Sequence, residues 1–359
     1  MKKIDLTGKR ILITGGAGFI GANLILSLLQ TVKSVNILTV DNINDYYDVS
    51  LKEWRLQQIE SEATQHEESK FEFIKGDISD VGLVNQIFAD FKPDIVVNLA
   101  AQAGVRNSIT NPDAYIKSNI IGFYNILEAC RHSYDNENGV EHLVFASSSS
   151  IYGNGKEIPY KTDSNTDKPI SLYAATKKSD EMLAHVYSHL FGIPITGLRF
   201  FTVYGPGGRP DMAYFKFTKK LINDEKIQIF NYGNCRRDFT YIDDVVEGVK
   251  RVMSGVPEKS KQDLEQAYRI YNIGNHHPEN LMKFVKILQD ELVRANVLPK
   301  DYDFKGHMEL VPMQPGDVAV TYADISELEK DFNFKPDTKL RVGLRKFAEW
   351  YRDFYELGK

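Results

Sequence analysis

The chain has 359 residues, of which 42% are hydrophobic, so it is long enough for one large domain with a smaller lobe. A formal net charge of -5 leaves no basic surplus, which argues against nucleic acid as a partner. The two cysteines and eight histidines lack metal-ligand spacing, and no apolar run approaches the ~20 residues that cross a bilayer, so we expect a cytoplasmic protein with no metal site and no membrane partner.

A glycine-rich turn follows the first predicted strand. Residues 10–14 form an apolar run, and the turn Gly15-Gly16-Ala17-Gly18-Phe19-Ile20-Gly21 leads into an apolar helix. Glycine is needed where a strand turns sharply and the backbone touches a pyrophosphate. A second strand ends at Asp41, 20 residues past Gly21, where a carboxylate binds an adenosine ribose diol and repels a 2'-phosphate. The pattern predicts an NAD site rather than an NADP site.

Short β-rich runs alternate with helical stretches as far as Arg199, which is typical of a parallel sheet covered on both faces. The predicted strands are 10–14, 35–40, 71–75, 94–99, 141–146 and 195–199, and the main predicted helices are 112–130 and 172–190. We therefore predict an α/β fold with a Rossmann-type doubly wound parallel sheet.

Beyond Arg199 the pattern becomes irregular, which predicts a smaller, discontinuous C-terminal substrate lobe. We assign residues 1–200 to the NAD-binding domain and 201–359 mainly to the substrate lobe. A segment at about 240–275 is predicted to return to the first domain, because Tyr268 to Ile273 has the pattern of a buried strand. The last helix, at about 342–354, carries an aromatic stripe that we interpret as core packing.

Three residues downstream of the turn predict nicotinamide redox chemistry. Tyr173 and Lys177 are four apart and share one face of a predicted helix. A free tyrosine has a pKa near ~10, so it serves as a base at neutral pH only beside positive charge, which Lys177 would supply. Ser148 follows a predicted strand, at the sheet edge where open α/β sheets bind ligands, and could relay a proton.

In this order, the motifs resemble the extended short-chain dehydrogenase/reductases, the NAD-dependent nucleotide-sugar epimerase/dehydratase family, over about residues 8–355. The resemblance rests on Gly15 to Gly21, Asp41-Asn42, Gly76-Asp77-Ile78, Asn98 to Ala101, Ser147 to Gly153 and Tyr173 to Lys177. It implies Ser148, Tyr173 and Lys177 as catalytic residues and NAD as the cofactor. The implied cofactor contacts are Gly15, Gly18, Phe19, Ile20, Gly21, Asp41, Asn42, Asp77, Ile78, Ala100, Ala101, Tyr173 and Lys177.

Two positions separate the reactions of this family. A 4,6-dehydratase of the family typically has an acidic pair where this chain has Ser149 and Ser150, and a decarboxylase typically has a glutamate there. Serine cannot do that acid-base work at neutral pH. Epimerisation at C4 needs one base and one hydride removed and returned, so it is the predicted reaction.

The substrate side resembles the family members that act on UDP-glucuronate, through Thr202 and the stretch Arg209-Pro210-Asp211-Met212. Arg209 could pair with the sugar carboxylate, although a solvent-exposed loop arginine is the alternative. The resemblance also implies Arg237 at the diphosphate and Asp317 at the uridine ribose. The predicted substrate contacts are Ser148, Ser149, Ser150, Thr202, Arg209, Arg237 and Asp317.

The predicted reaction therefore converts UDP-glucuronate to UDP-galacturonate through a transient 4-keto sugar, with NAD recycled. The nearest alternative is the same chemistry on UDP-glucose or UDP-N-acetylglucosamine. A dehydrogenase that releases NADH and a non-catalytic NAD-binding regulator are alternatives of other classes. We also expect a homodimer paired through helices 112–130 and 172–190, although core packing explains their apolar positions equally well.

Overall fold

Strands and helices alternate along most of the chain. The computed structural model describes residues 1–135, 139–155, 157–258, 267–314 and 317–357. In chain order the strands are β1 (Lys2–Lys3), β2 (Arg10–Thr14), β3 (Asn36–Asp41), β4 (Lys70–Lys75), β5 (Ile95–Asn98), β6 (His142–Ser148), β7 (Ile195–Phe200), β8 (Thr202–Tyr204), β9 (Ile227–Ile229), β10 (Arg236–Tyr241), β11 (Gly255–Val256), β12 (Tyr268–Ile273), β13 (Pro278–Asn280) and β14 (Met308–Leu310). The α-helices are α1 (Phe19–Thr31), α2 (Val49–Ala63), α3 (Val81–Phe91), α4 (Asn107–Thr110), α5 (Pro112–Tyr115), α6 (Gly122–His132), α7 (Leu172–Phe191), α8 (Ala213–Ile222), α9 (Ile242–Met253), α10 (Leu281–Arg294), α11 (Ser326–Phe332) and α12 (Leu340–Phe354).

A seven-stranded parallel sheet forms the centre of the molecule, with strand order β12-β7-β6-β5-β2-β3-β4. The six strands predicted up to Arg199 are all present, with ends within two residues of the prediction. The chain runs outward in both directions from the β2–β5 pair, which makes a crevice at the carboxyl ends of these strands. The predicted Rossmann-type α/β fold is confirmed.

Both faces of the sheet are covered, as a parallel sheet requires. Along β2, Ile11 and Ile13 join one buried cluster while Leu12 joins the other. The first cluster includes α1, α2, α9 and α12, and the second includes α3, α6 and α7. Strand β5 is buried at every position because it lies in the middle of the sheet. Helices on both faces hold the carboxyl ends of the strands in fixed positions.

The chain returns to the sheet after the irregular C-terminal region begins. Strand β12 pairs in parallel with β7, from Tyr268 opposite Ile195 to Ile273 opposite Phe200. Residues 259–266 of the predicted returning segment lie outside the described residues. The division of the chain into two domains remains a prediction. In α12, Phe347 and Tyr351 are buried against Phe215, so the aromatic stripe packs in the core.

Two local features differ from the sequence prediction. Strand β6 continues through Ser148 rather than ending at residue 146, because Ser147 and Ser148 pair with Arg199 and Phe200 of β7. The predicted helix 112–130 contains a π-helical segment, Ile116–Ile121, between α5 and α6. Its widened turn carries Asn119, whose buried side chain bonds to other segments. Among the described residues, no helix has both the length and the apolar character to cross a membrane.

Candidate active site

A cavity of about 410 Å³ opens at the carboxyl ends of the central strands, within the range usual for ligand sites. The structure brings most of the predicted site residues together in its lining. These are Gly15, Gly18, Phe19, Ile20, Gly21, Asp41, Asn42, Asp77, Ile78, Ala100, Ala101, Ser148, Ser149, Ser150, Tyr173, Lys177, Thr202 and Arg209.

The glycine-rich turn forms one wall of the cavity. Gly15 has φ +75°, and a Cβ there would lie 2.7 Å from the backbone nitrogen of Ala100, so only glycine fits. The Gly18 N–H donates to the Gly15 carbonyl at 3.0 Å, which closes the turn just before α1 begins at Phe19. The first N–H groups of a helix lack partners within it and favour negative charge. The turn therefore fits a dinucleotide diphosphate.

Carboxylates at the next strand ends fit the adenosine half of NAD. Asp41 accepts hydrogen bonds from the backbone N–H groups of Ala17 at 3.1 Å and Ile43 at 2.9 Å. Each carboxylate oxygen accepts more than one hydrogen bond, so Asp41 keeps acceptor capacity for a ribose diol. Burial raises the pKa of Asp77, but hydrogen bonds from Ser79 and Asn42 and the charge of Lys117 together more than offset this and hold that pKa below its ordinary value. Asp77 is thus an ionised acceptor at the predicted adenine end.

Ser148 and Tyr173 reach the cavity from β6 and α7. The hydroxyl oxygen of Ser148 accepts hydrogen bonds from the backbone N–H and the hydroxyl of Ser150, at 3.2 and 2.9 Å. Its own proton is therefore available to a substrate oxygen. Ser171 caps α7 by accepting from the Ala174 N–H at 3.1 Å, which fixes the first turn of the helix and hence Tyr173.

Lys177 has a partner that the sequence did not predict. Its ammonium donates to Asp180 Oδ2 at 3.0 Å, and both side chains are buried. Burial raises the pKa of Asp180 to about 6, even though the charge of Lys177 acts in the opposite direction. An ammonium has three N–H donors, so two remain for the cofactor ribose or the tyrosine. Asp180 fixes the orientation of this group.

Arg209 lines the cavity rather than facing open solvent, with a side chain that is 24% exposed. Its Nε and Nη2 donate to the two carboxylate oxygens of Asp211 at 3.0 and 2.6 Å. The Tyr46 hydroxyl donates to Asp211 Oδ2 at 3.2 Å. Burial raises the pKa of Asp211, and the adjacent guanidinium lowers it by more, so the pair is ionised. The Nη1 donors of Arg209 remain for a ligand.

Arg237 and Asp317 do not line this cavity. The Nη1 group of Arg237 donates to the carbonyls of Arg236 and Ala319, both at 3.1 Å. Asp317 forms an ion pair with Arg106 at 3.1 Å. Pro315 and Gly316, which belong to the segment predicted to hold the uridine, lie outside the described residues. Contacts of Arg237 with a diphosphate and of Asp317 with a ribose stay predictions.

Other residues that support the site were missed in the sequence. Asn119 donates from Nδ2 to the Gln102 carbonyl at 3.1 Å and to the Thr176 hydroxyl at 2.9 Å, which ties the loop after β5 to α7. Arg199 forms a two-bond ion pair with Glu181, also on α7. An arginine within a strand of otherwise uncharged residues is a signal of a buried partner, and Glu181 lies four residues after Lys177.

The fold and the cavity define an NAD-dependent enzyme of the short-chain dehydrogenase type. The chain belongs to the family described as GDP-mannose 4,6 dehydratase, whose model matches residues 12–347. This is the NAD-dependent nucleotide-sugar epimerase/dehydratase family of extended short-chain dehydrogenases. The resemblance found in the sequence is confirmed, and so is NAD as the cofactor.

Individual relatives match almost the whole chain. Protein CapI of Staphylococcus aureus is 47% identical over 356 residues, which cover 97% of this chain and 99% of that protein. UDP-glucuronate 4-epimerase 2 of Arabidopsis thaliana is 42% identical over 359 residues, or 98% of this chain and 77% of that protein. A crystal structure of UDP-glucuronic acid 4-epimerase from Bacillus cereus, in complex with UDP-glucuronic acid and NAD, is similar with a TM-score of 0.80. It is 31% identical and matches 96% of this chain and 100% of that chain.

Proposed function

We propose that this enzyme is a UDP-glucuronate 4-epimerase, which interconverts UDP-glucuronate and UDP-galacturonate. The observation that carries the proposal is the composition of one cavity. It contains Tyr173 and Ser148 for proton transfer, and Arg209 for a carboxylate. The positions that need acids for dehydration or decarboxylation are occupied by Ser149 and Ser150.

Each of the site residues has a separate role in the proposed reaction. When bound, NAD supplies the reversible two-electron oxidation of the alcohol at C4. Tyr173 accepts the proton of the 4-hydroxyl, with Ser148 bridging, and Lys177 stabilises the phenolate. The 4-keto sugar turns its other face to the cofactor, and Tyr173 returns the proton after the carbonyl is reduced. Arg209 and Thr202 position the sugar acid in both orientations.

The contact between Arg209 and the carboxylate is tested by Arg209→Met. We expect kcat/KM for UDP-glucuronate to fall about 10- to 150-fold, because a hydrogen bond to a charged group contributes about 1.5–3 kcal/mol. The rate is measured by proton NMR of the epimers. Because the single variant leaves Asp211 without its guanidinium, the double variant R209M/D211N is assayed beside it.

The paired substitution separates the two effects. If loss of the sugar contact is responsible, both variants lose activity on UDP-glucuronate to a similar extent. Recovery of full activity in R209M/D211N shows instead that the unpaired carboxylate disturbed the loop, and it contradicts the proposed contact. Arg251→Met is a matched control, because Arg251 pairs with Glu247 on α9, and neither residue belongs to the cavity lining.

A second candidate substrate is a neutral sugar, UDP-glucose or UDP-N-acetylglucosamine. The observation in its favour is the two-bond pair between Arg209 and Asp211, because a carboxylate already balances the guanidinium charge. A neutral hexose would then need only hydrogen bonds from the Nη1 group. Turnover of a neutral UDP-sugar in preference to the acid would identify this alternative.

We also propose that the enzyme is a homodimer. Helix α7 has a stripe of exposed apolar side chains at intervals of four residues. Met182 is 60% exposed and Leu190 is 63% exposed, and Val186 lies between them. Tyr124 and Ile121, on the helical segments that pack against α7, are also exposed, and we propose that they belong to the same apolar surface. A second copy of this surface, related by a two-fold axis, covers all of these side chains.

Met182→Asp combined with Leu190→Asp is expected to give a monomer, because two charges on each copy would be buried in the interface. Light scattering after gel filtration measures the mass. Leu310→Asp is a matched control, since Leu310 is an exposed leucine on β14. A monomeric unaltered protein, or a dimer that survives both substitutions, would rule out this interface.

We place the enzyme in the cytoplasm. The two cysteines, Cys130 and Cys235, are buried and free. Burial raises the pKa of the Cys130 thiol, which keeps it protonated and unreactive. Unpaired thiols of this kind are usual in a reducing compartment.

A further inference from the structure

Helix α2 buries an arginine beneath the cavity. Arg55 lies on the same face of the helix as Leu51 and Ile59, four residues away on either side, and is only 2% exposed. Burial of a guanidinium is unfavourable unless its donors are satisfied. The position of Arg55 therefore depends on its hydrogen bonds.

All five N–H donors of Arg55 are used, and every acceptor is a neutral oxygen. Nη1 donates to the Ala17 carbonyl at 2.9 Å and to the Tyr47 hydroxyl at 2.7 Å. Nε and Nη2 donate to the Gly207 carbonyl at 3.0 and 2.6 Å, and Nη2 also donates to the Gly208 carbonyl at 3.1 Å. The guanidinium thus joins three separate backbone carbonyls.

These carbonyls belong to the two ligand-binding loops. Ala17 lies in the glycine-rich turn, and its N–H donates to Asp41, the residue predicted to hold the adenosine ribose. Gly207 and Gly208 directly precede Arg209. A Cβ on Gly208 would collide with the Tyr214 hydroxyl, so this loop has little room to adjust. Arg55 is therefore a direct connection between the cofactor turn and the loop that carries Arg209.

We infer that Arg55 is a positioning residue that couples binding of the cofactor to binding of the UDP-sugar. A ligand on either loop holds Arg55 in place, and Arg55 then holds the other loop in its binding conformation. The second ligand then binds to a loop that is already ordered, so it binds more tightly. The increase in affinity is the same whichever ligand binds first. The inference rests on the proposed function only in taking the Arg209 loop as a sugar contact.

NADH is a suitable probe, because a reaction that begins with oxidation of the sugar cannot start from the reduced cofactor. Binding of NADH to protein freed of nucleotide is followed by its fluorescence, with and without saturating UDP-glucuronate. We expect the sugar to lower the Kd of NADH at least about fivefold in the unaltered protein, a typical coupling factor. In Arg55→Met we expect less than a twofold change.

Arg55→Lys is measured in the same way, so that the test survives if the methionine variant does not fold. Lysine keeps the charge but has only three N–H donors and lacks the planar guanidinium that bonds to both loops. We therefore expect the Arg55→Lys variant also to lose most of the coupling. Arg10→Met is the matched control for lost stability. Arg10 bonds to Asp94 where β2 begins, at the end of the sheet opposite the cavity, and its coupling ratio should match that of the unaltered protein.

The inference is overturned if no UDP-sugar changes the Kd of NADH in the unaltered protein. It is equally overturned if both Arg55 variants keep the unaltered ratio. UDP-glucose and UDP-N-acetylglucosamine are titrated in parallel with UDP-glucuronate. If coupling through Arg55 is seen only with a neutral UDP-sugar, the role of Arg55 is supported and the proposed substrate is contradicted. Failure of the inference about Arg55 can therefore be told apart from failure of the proposed function.

Discussion

The Tyr173→Phe variant is expected to epimerise UDP-glucuronate about 10³-fold more slowly than the unaltered enzyme, because a positioned acid-base group contributes about 10²- to 10⁴-fold. Phenylalanine keeps the ring, which lies edge-on to Tyr115 with 6.0 Å between centroids, and removes only the hydroxyl. Binding of NAD and of UDP-glucuronate should persist, because the other predicted contacts in the cavity lining remain. Rate and binding are measured by proton NMR and by calorimetry.

Tyr187→Phe is the matched control for this substitution. Tyr187 lies on the same helix, and its hydroxyl donates to Glu128 on α6 and does not line the cavity. The control variant should keep its rate within about twofold. A Tyr173→Phe rate within tenfold of the unaltered enzyme would show that another group transfers the proton.

The second large effect is expected from removing a buried arginine, which lowers the stability of the fold. We expect Arg199→Met to lower the free energy of unfolding by about 3–5 kcal/mol, the usual cost of removing one partner of a buried ion pair. Nε and Nη2 of Arg199 donate to the two carboxylate oxygens of Glu181, both at 2.9 Å, and the Ser147 hydroxyl donates to Glu181 at 2.6 Å. Burial lowers the pKa of Arg199, and Glu181 raises it by more, so the guanidinium stays charged. The variant leaves the Glu181 carboxylate buried without its cation.

Unfolding in urea measures the loss. Lys286→Met is the exposed counterpart, because Lys286 pairs with Asp290 on α10 and its side chain is 71% exposed; it is expected to cost about 0–1 kcal/mol. The double variant R199M/E181L should recover part of the stability, because it replaces both charges with apolar groups. A loss below about 1 kcal/mol in R199M would contradict the structural role of the pair, which anchors α7 next to the catalytic strand end.

The sheet could be predicted because its strands are short apolar runs separated by helical patterns. The grouping of Gly15, Asp41 and Ser148 could also be predicted, since the carboxyl ends of parallel strands meet at one edge, whereas Tyr173 on α7 was assigned from its motif and the family resemblance. Strand β12 was identifiable because Tyr268 to Ile273 alternates aromatic and β-branched residues with polar ones in the pattern of a strand. In each case the information lies within a few consecutive residues.

The pairings of charged residues were not predictable in the same way. Asp180 is three residues from Lys177, and Asp211 is two residues from Arg209, but the sequence does not show whether such neighbours bond to each other or to water. That choice depends on burial by other segments. The acceptors of Arg55 in the Arg209 loop are 152 and 153 residues away, so only the fold identifies them. The position of Arg55 on the apolar face of α2 was the one local signal.

The central claim is C4 epimerisation of UDP-glucuronate without net oxidation. It is tested most directly by incubating the purified enzyme, without added NAD, with UDP-glucuronate, UDP-glucose or UDP-N-acetylglucosamine, and resolving the products by proton NMR. The account predicts that UDP-glucuronate alone is converted to its C4 epimer, UDP-galacturonate, while absorbance from free NADH does not rise. Turnover of a neutral sugar instead, a keto or pentose product from the acid, or steady release of NADH would contradict it.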